Sequence, residues 1–336
     1  MRATTTSVQY VWTGLMMVCL TVGSGCGGDD DTEGSTSNNS GTTTGSNGET
    51  SIDALPERTW SWLEVEGMRC ANGSPTGIGV NRNTASPNVV VYLEGGGACW
   101  DHETCYELAA ASNITTGFDA SAFQMQAIPA VEGIEVFRRD ASNPLQDWNQ
   151  IYVPYCTGDL HAGSKTNDYN GQTTMHVGRA NIQQVLGLLT STFTSANRVV
   201  LTGSSAGGYG ASLSYALFAE NFAGVRVDMI NDGGPPIPTP AAPSALMQTW
   251  ISTWNLTAAA PPGCSGCDTN VAAYMTANFA AYPNARFALL SFTEDDVLTQ
   301  YYGIDGPTFT QGLNALRADG FAGAPNAFIF YRQGVG

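Results

Sequence analysis

Val199-Val200-Leu201-Thr202-Gly203-Ser204-Ser205-Ala206-Gly207-Gly208-Tyr209-Gly210 is the stretch on which the reading of this chain turns. An apolar run ends at Gly203, and an Ala/Leu-rich segment follows Gly207, so the turn between them joins a strand to a helix. Gly203-Ser204-Ser205-Ala206-Gly207 has the Gly-x-Ser-x-Gly pattern of a nucleophile elbow. Such a turn is tight enough to lift one hydroxyl clear of the backbone, and the flanking glycines keep Cβ atoms out of it. Ser205 is therefore the candidate nucleophile, and the Ala206 N–H is placed to face an oxyanion.

Upstream, Asn88–Glu94 is a short β-branched run, and Gly95-Gly96-Gly97-Ala98-Cys99-Trp100 follows it directly. Consecutive glycines let backbone N–H groups approach a ligand, so Gly96 and Gly97 are expected to complete an oxyanion hole with Ala206. A phosphate cradle is disfavoured, because no Lys-Ser/Thr follows the glycines. Further strands are expected at 150–155, 198–201, 225–230, 286–292 and 327–331, with helices at 177–194, 206–220 and 308–318. Residues 237–284, rich in Ala, Pro and Thr, read as a cap insertion. Strands alternating with helices predict a mostly parallel sheet with helices on both faces, the α/β-hydrolase fold.

Three motifs together resemble the pectinacetylesterase family, Notum-like carboxylesterases included, and its exported bacterial branch most closely. They are Gly95-Gly96-Gly97-Ala98-Cys99, Pro154-Tyr155-Cys156-Thr157-Gly158-Asp159-Leu160-His161-Ala162-Gly163, and Gly203–Gly210. The resemblance covers roughly residues 55–336. It implies a Ser–Asp–His triad, an oxyanion hole, several disulfides and no cofactor. Plant members resemble Gly-Gly-Gly-Trp-Cys where this chain has Ala98, which alters the pocket and puts pectin acetate in question as the substrate.

The triad acid should follow a late strand, and Phe292-Thr293-Glu294-Asp295-Asp296-Val297 does so. Asp295 matches the family pattern best; Asp296 and, more distantly, Asp232 compete with it. The plainer reading of the two acids is as caps of the next helix. On this fold the base follows the acid, yet the histidines, His102, His161 and His176, all precede Ser205. The expectation is a chain cut just before its own base, with His161 as the upstream alternative. Losing a triad member costs about 10⁴–10⁶-fold in rate, so the chain as given is expected to be nearly inactive.

Residues 1–26 read as an export leader: Arg2, an apolar run from Val11 to Val22, then small residues before Cys26, a candidate lipidation site. Residues 27–51 hold almost only Gly, Asp, Ser, Thr, Asn and Glu and read as a flexible tether to the catalytic domain at 52–336. The expected setting is a bacterial cell envelope or the medium, with membrane contact only through a lipid anchor. A net charge of −16 over 336 residues argues against nucleic acid as a partner.

Six cysteines follow the tether, an even number that favours disulfides in an exported chain. Proximity pairs Cys99 with Cys105 and Cys264 with Cys267, leaving Cys70 with Cys156, although about fifteen pairings are open. Cys264-Ser-Gly-Cys267 has no His nearby, which argues against zinc. Trp100, Trp148, Trp250 and Trp254 could stack on sugar rings or fill the core. The expected function is ester hydrolysis by a monomer, with O-acetyl groups on an extracellular polysaccharide such as pectin as the substrate. A lipid or polyester esterase and a non-catalytic carbohydrate-binding lipoprotein are the alternatives.

Overall fold

The computed structural model describes residues 51–131 and 133–336. The leader, Cys26 and nearly all of the tether lie outside the described residues. Among the described residues ten strands form two sheets, the larger with the order β1-β2-β4-β3-β7-β8-β9-β10. β1 (Ser61–Arg69) and β2 (Pro75–Asn81) form an antiparallel hairpin at one edge, and β2 also runs antiparallel to β4 (Asn149–Val153). From β4 onward every pair is parallel: β3 (Asn88–Leu93), β7 (Arg198–Ser204), β8 (Arg226–Asp232), β9 (Phe287–Glu294) and β10 (Ala327–Val335). β5 (Lys165–Tyr169) and β6 (Gln172–His176) make a separate hairpin.

The parallel strands read as continuous apolar runs because helices and loops cover them. Val89, Val91 and Leu93 of β3 face the same core as Val199 and Leu201 of β7. Against that face lie α3 (Gly178–Thr192), through Ile182, Val185, Leu186 and Leu189, and α4 (Ala206–Asn221). The spacing of those α3 residues is helical, which is why the sequence showed this helix to within two residues at either end. α4 is buried from Ala206 to Phe218, so its sequence has almost no polar face.

On the opposite face Tyr92 and Tyr152 meet Phe118, Phe123 and Phe137. Two single helical turns, α1 (Ala120–Ala122) and α2 (Ile128–Val131), carry part of that layer. It does not extend over the β9–β10 side, where Leu290, Phe328 and Phe330 are exposed.

Residues 237–284 contain α5 (Ser244–Trp254), a 3₁₀ turn and α6 (Ala272–Ala281), with no sheet strand. Trp250 and Trp254 of α5 are buried at 3% and 0% exposure, against Leu160, Tyr209 and Tyr302. Neither is a sugar platform, because each ring fills the core beneath α5. α7 (Asp296–Tyr302) and α8 (Gly306–Ala315) follow β9, and β10 then closes the sheet. Among the described residues no helix is long and apolar enough to cross a membrane.

The disulfides are Cys70–Cys156, Cys99–Cys105 and Cys264–Cys267. The hairpins β1–β2 and β5–β6 were not foreseen. β1 carries Gly67 and alternates only in part, and β5–β6 has few apolar residues, so neither shows a clean strand pattern.

Candidate active site

Ser205 adopts φ 55° and ψ −120°, a backbone conformation costly for a residue with a Cβ, by about 1–3 kcal/mol. Its neighbours hold it there. The Ser205 N–H donates to the Asp232 carbonyl at 2.8 Å, and the Tyr209 N–H donates to the Ser205 carbonyl at 3.1 Å. The glycines are required by contact. A methyl carbon at Gly203 would lie 2.5 Å from the Gly207 carbonyl oxygen, and one at Gly207 would lie 1.9 Å from that of Leu93. α4 thus starts pressed against the end of β3. Ala206 opens α4, so its N–H belongs to the first turn, which has no carbonyl partner within the helix.

β3 delivers the glycine loop to the same place. A methyl carbon at Gly95 would sit 3.2 Å from the Ser205 Cβ, so the loop passes directly beside Ser205. Gly96 and Gly97 have φ of +144° and +76°, which only glycine adopts readily. The loop is pinned on its outer side: the Ser112 N–H donates to the Gly96 carbonyl at 2.8 Å, and the Ala98 N–H donates to the Ala110 carbonyl at 3.1 Å. Cys99–Cys105 closes the segment that follows.

The Pro154–Gly163 motif underlies this loop. His161 is 3% exposed, and its Nε2 lies 2.8 Å from the Glu94 carbonyl oxygen. A carbonyl only accepts, so that nitrogen carries the proton. Burial pushes the His161 pKa down and keeps the ring neutral. Buried Asp159 accepts from the Gly178 N–H at 2.7 Å and from the Thr157 hydroxyl at 2.6 Å, which fixes the start of α3. His176 is engaged on both sides, with Nδ1 at 2.7 Å from the Thr157 carbonyl and Nε2 at 3.0 Å from the Tyr169 hydroxyl. His102 pairs with Glu107 at 3.2 Å, on the surface loop beyond the glycines. Each histidine of the chain thus has a structural partner.

Asp295 sits at the end of β9 and caps α7. Its Oδ1 accepts from the Leu298 N–H at 2.7 Å. Burial raises its pKa, and the amides of Leu298 and Val297 partly offset that. Its charge is felt at Tyr209, one turn past Ser205 on α4. Asp296 is exposed in the first turn of α7. Asp232 is exposed beside the elbow, and its Oδ2 accepts from the Ser204 hydroxyl at 2.8 Å. The three acids therefore lie on neighbouring strand ends, and only Asp295 is partly buried.

Two residues of the site went unnoticed in the sequence. Glu94 ends β3 immediately before the glycines; its Oε2 accepts from the Tyr155 N–H at 2.8 Å, and Tyr152 bonds the same carboxyl. Burial pushes Glu94 up to about 7. An acid closing a run of β-branched residues was the available signal. Tyr301 on α7 donates to the Ala110 carbonyl and packs against Gly97, tying the helix after Asp295 to the glycine loop. Nothing near Tyr301 in sequence marks that role.

Glu94 yields a pH prediction. Its folded pKa lies above the ordinary value of about 4.3, so its contribution to stability is complete below that value and is lost as pH rises through about 7. Glu94→Gln should remove this loss. Urea midpoints of wild type and variant should diverge between pH 4.5 and 7.5 by about 3 kcal/mol at most. Parallel pH profiles would show that the carboxyl ionises freely.

A mostly parallel sheet with a strained Ser at the strand-to-helix turn after its central strand defines the α/β-hydrolase fold. The pectinacetylesterase family model matches residues 61–262, and the chain belongs to that family. Palmitoleoyl-protein carboxylesterase NOTUM of Schmidtea mediterranea is 30% identical over 152 residues, 44% of this chain and 28% of the relative. Pectin acetylesterase 4 of Arabidopsis thaliana is 26% identical over 184 residues, 52% of this chain and 42% of the relative. The chain thus spans less than half the length of these curated relatives. The crystal structure of the Wnt deacylase Notum from Drosophila aligns with a TM-score of 0.57 at 19% identity, over 81% of this chain and 84% of that one. That likeness concerns the fold.

Proposed function

We propose that the chain carries the nucleophile, acid and oxyanion hole of a serine carboxylesterase that removes O-acetyl groups from an extracellular polysaccharide. The observation that carries this reading is Ser205, held at φ 55° beside a glycine loop that passes its Cβ. The Ser205 hydroxyl attacks the ester carbonyl, the alcohol leaves, and water then releases acetate from the acyl-enzyme. Gly96, Gly97 and Ala206 N–H groups hold the oxyanion, and Asp295 orients the base. His161 is not that base, because its Nε2 proton is committed to Glu94.

The three disulfides fit an oxidising compartment, in keeping with export and with anchoring through Cys26.

Turnover of 4-nitrophenyl acetate tests the assignment. In the whole protein, Ser205→Ala should lower that turnover by about 10⁴-fold or more. Full activity in Ser205→Ala would overturn the nucleophile.

A further inference from the structure

At the amino ends of the parallel strands the charges are paired: the Asp228 carboxyl of β8 bonds both Arg198 and Arg226 and accepts from the Arg286 N–H. Guanidinium groups stand at the amino ends of the parallel strands: Arg198 starts β7, Arg226 starts β8, and Arg286 precedes β9. Carboxylates stand at the carboxyl ends, around Ser205. Asp232 ends β8, Glu294 ends β9, Asp296 follows, and all three are exposed. The loop beyond the glycines adds exposed Asp101, Glu103 and Glu107, and backbone bonds from Ala98 and Ser112 hold that loop against the oxyanion segment. Cations lie toward this end as well, Arg69 at the end of β1 and Arg179 at the start of α3 among them. Lys165 donates to the Ser252 carbonyl at 3.2 Å, and the Arg332 guanidinium lies over the Phe292 ring at 5.4 Å.

Within the same loop stands Trp100. It is half-buried, 5.7 Å from the Trp250 ring, and its backbone N–H donates to the Thr104 hydroxyl at 2.9 Å. The Cys99–Cys105 disulfide begins at the preceding residue. An indole held in place, with part of its surface open, offers a face to a sugar ring without an entropy cost on binding. A polyuronate brings one negative charge per sugar to a rim of fixed carboxylates, and like charges within about 10 Å repel at 0.1 M salt. An uncharged glycan meets the indole without that penalty.

We infer that the site takes O-acetyl esters carried on uncharged glycans, with Trp100 as the sugar platform and the acidic rim excluding polyuronates. The inference rests on the esterase reading for the chemistry, but its test reads binding alone. Affinity electrophoresis of the chain as given is run in gels containing acetylated xylan or acetylated polygalacturonate, at 20 mM and 300 mM salt. Acetylated xylan should retard the protein at both, and at low salt its apparent affinity should exceed that of the polyuronate by about tenfold or more. Asp101→Asn/Glu103→Gln/Glu107→Gln should narrow that ratio, and Trp100→Ala should weaken xylan binding about five- to tenfold. Equal or stronger retardation by polygalacturonate at low salt overturns the inference, as does no retardation by either glycan. Failure of the esterase reading shows separately, in the 4-nitrophenyl acetate assay of Ser205→Ala.

Discussion

Gly207→Ala is expected to cost at least about 3 kcal/mol of stability and to leave little folded chain at 37 °C. The added methyl would lie 1.9 Å from the Leu93 carbonyl oxygen, 2.7 Å from its carbon and 2.9 Å from the Glu94 carbonyl oxygen. These are backbone atoms of β3 and of the residue that begins the glycine loop, so no side chain can swing aside. Relief would require α4 to lift away from the sheet, and α4 is buried along most of its length. Gly187→Ala is the control. It lies on the exposed side of α3 with nothing within 4 Å of an added methyl, and should gain about 0.5–1 kcal/mol from helix propensity. Urea denaturation followed by circular dichroism measures both. A Gly207→Ala midpoint equal to wild type would mean that α4 does not press on β3 as described.

Removing the Cys70–Cys156 disulfide as a double alanine variant is expected to cost about 4–5 kcal/mol on the chain-entropy model. The bridge closes a loop with a sequence separation of 86 residues, far longer than the separations of 6 and 3 at the other two bridges. It also sits where packing depends on it. The Ala71 N–H donates to the Cys156 carbonyl at 2.8 Å, and Cys156 follows Tyr155, whose N–H holds Glu94. The β1–β2 edge is thereby tied to the loop beneath the glycine segment. A loss below about 1 kcal/mol would show that the unfolded chain already keeps these ends together.

How much was legible in the chain follows the range of each interaction. The elbow could be read because its constraints span five residues: a positive φ at Ser205 with glycines two positions to either side. The glycine loop could be read for the same reason. The order of the central strands was not legible, since β3 reaches β7 across more than a hundred residues and nothing local records the pairing. Trp250 and Trp254 read as core residues ahead of sugar platforms, and the packing of α5 over Tyr209 buried them.

The amino-acid sequence by itself determined the strand-to-helix turn that presents Ser205, the glycine segment, the family and the alternation of strands with helices. Each of these rests on backbone geometry that a few neighbouring residues dictate. Only the tertiary structure decided that His161 is a clamp on Glu94, that Glu94 and Tyr301 brace the glycine loop, and that carboxylates gather at one end of the sheet. Those outcomes depend on which strand ends become neighbours. That is set by burial of the shared core, and no short stretch of chain encodes it.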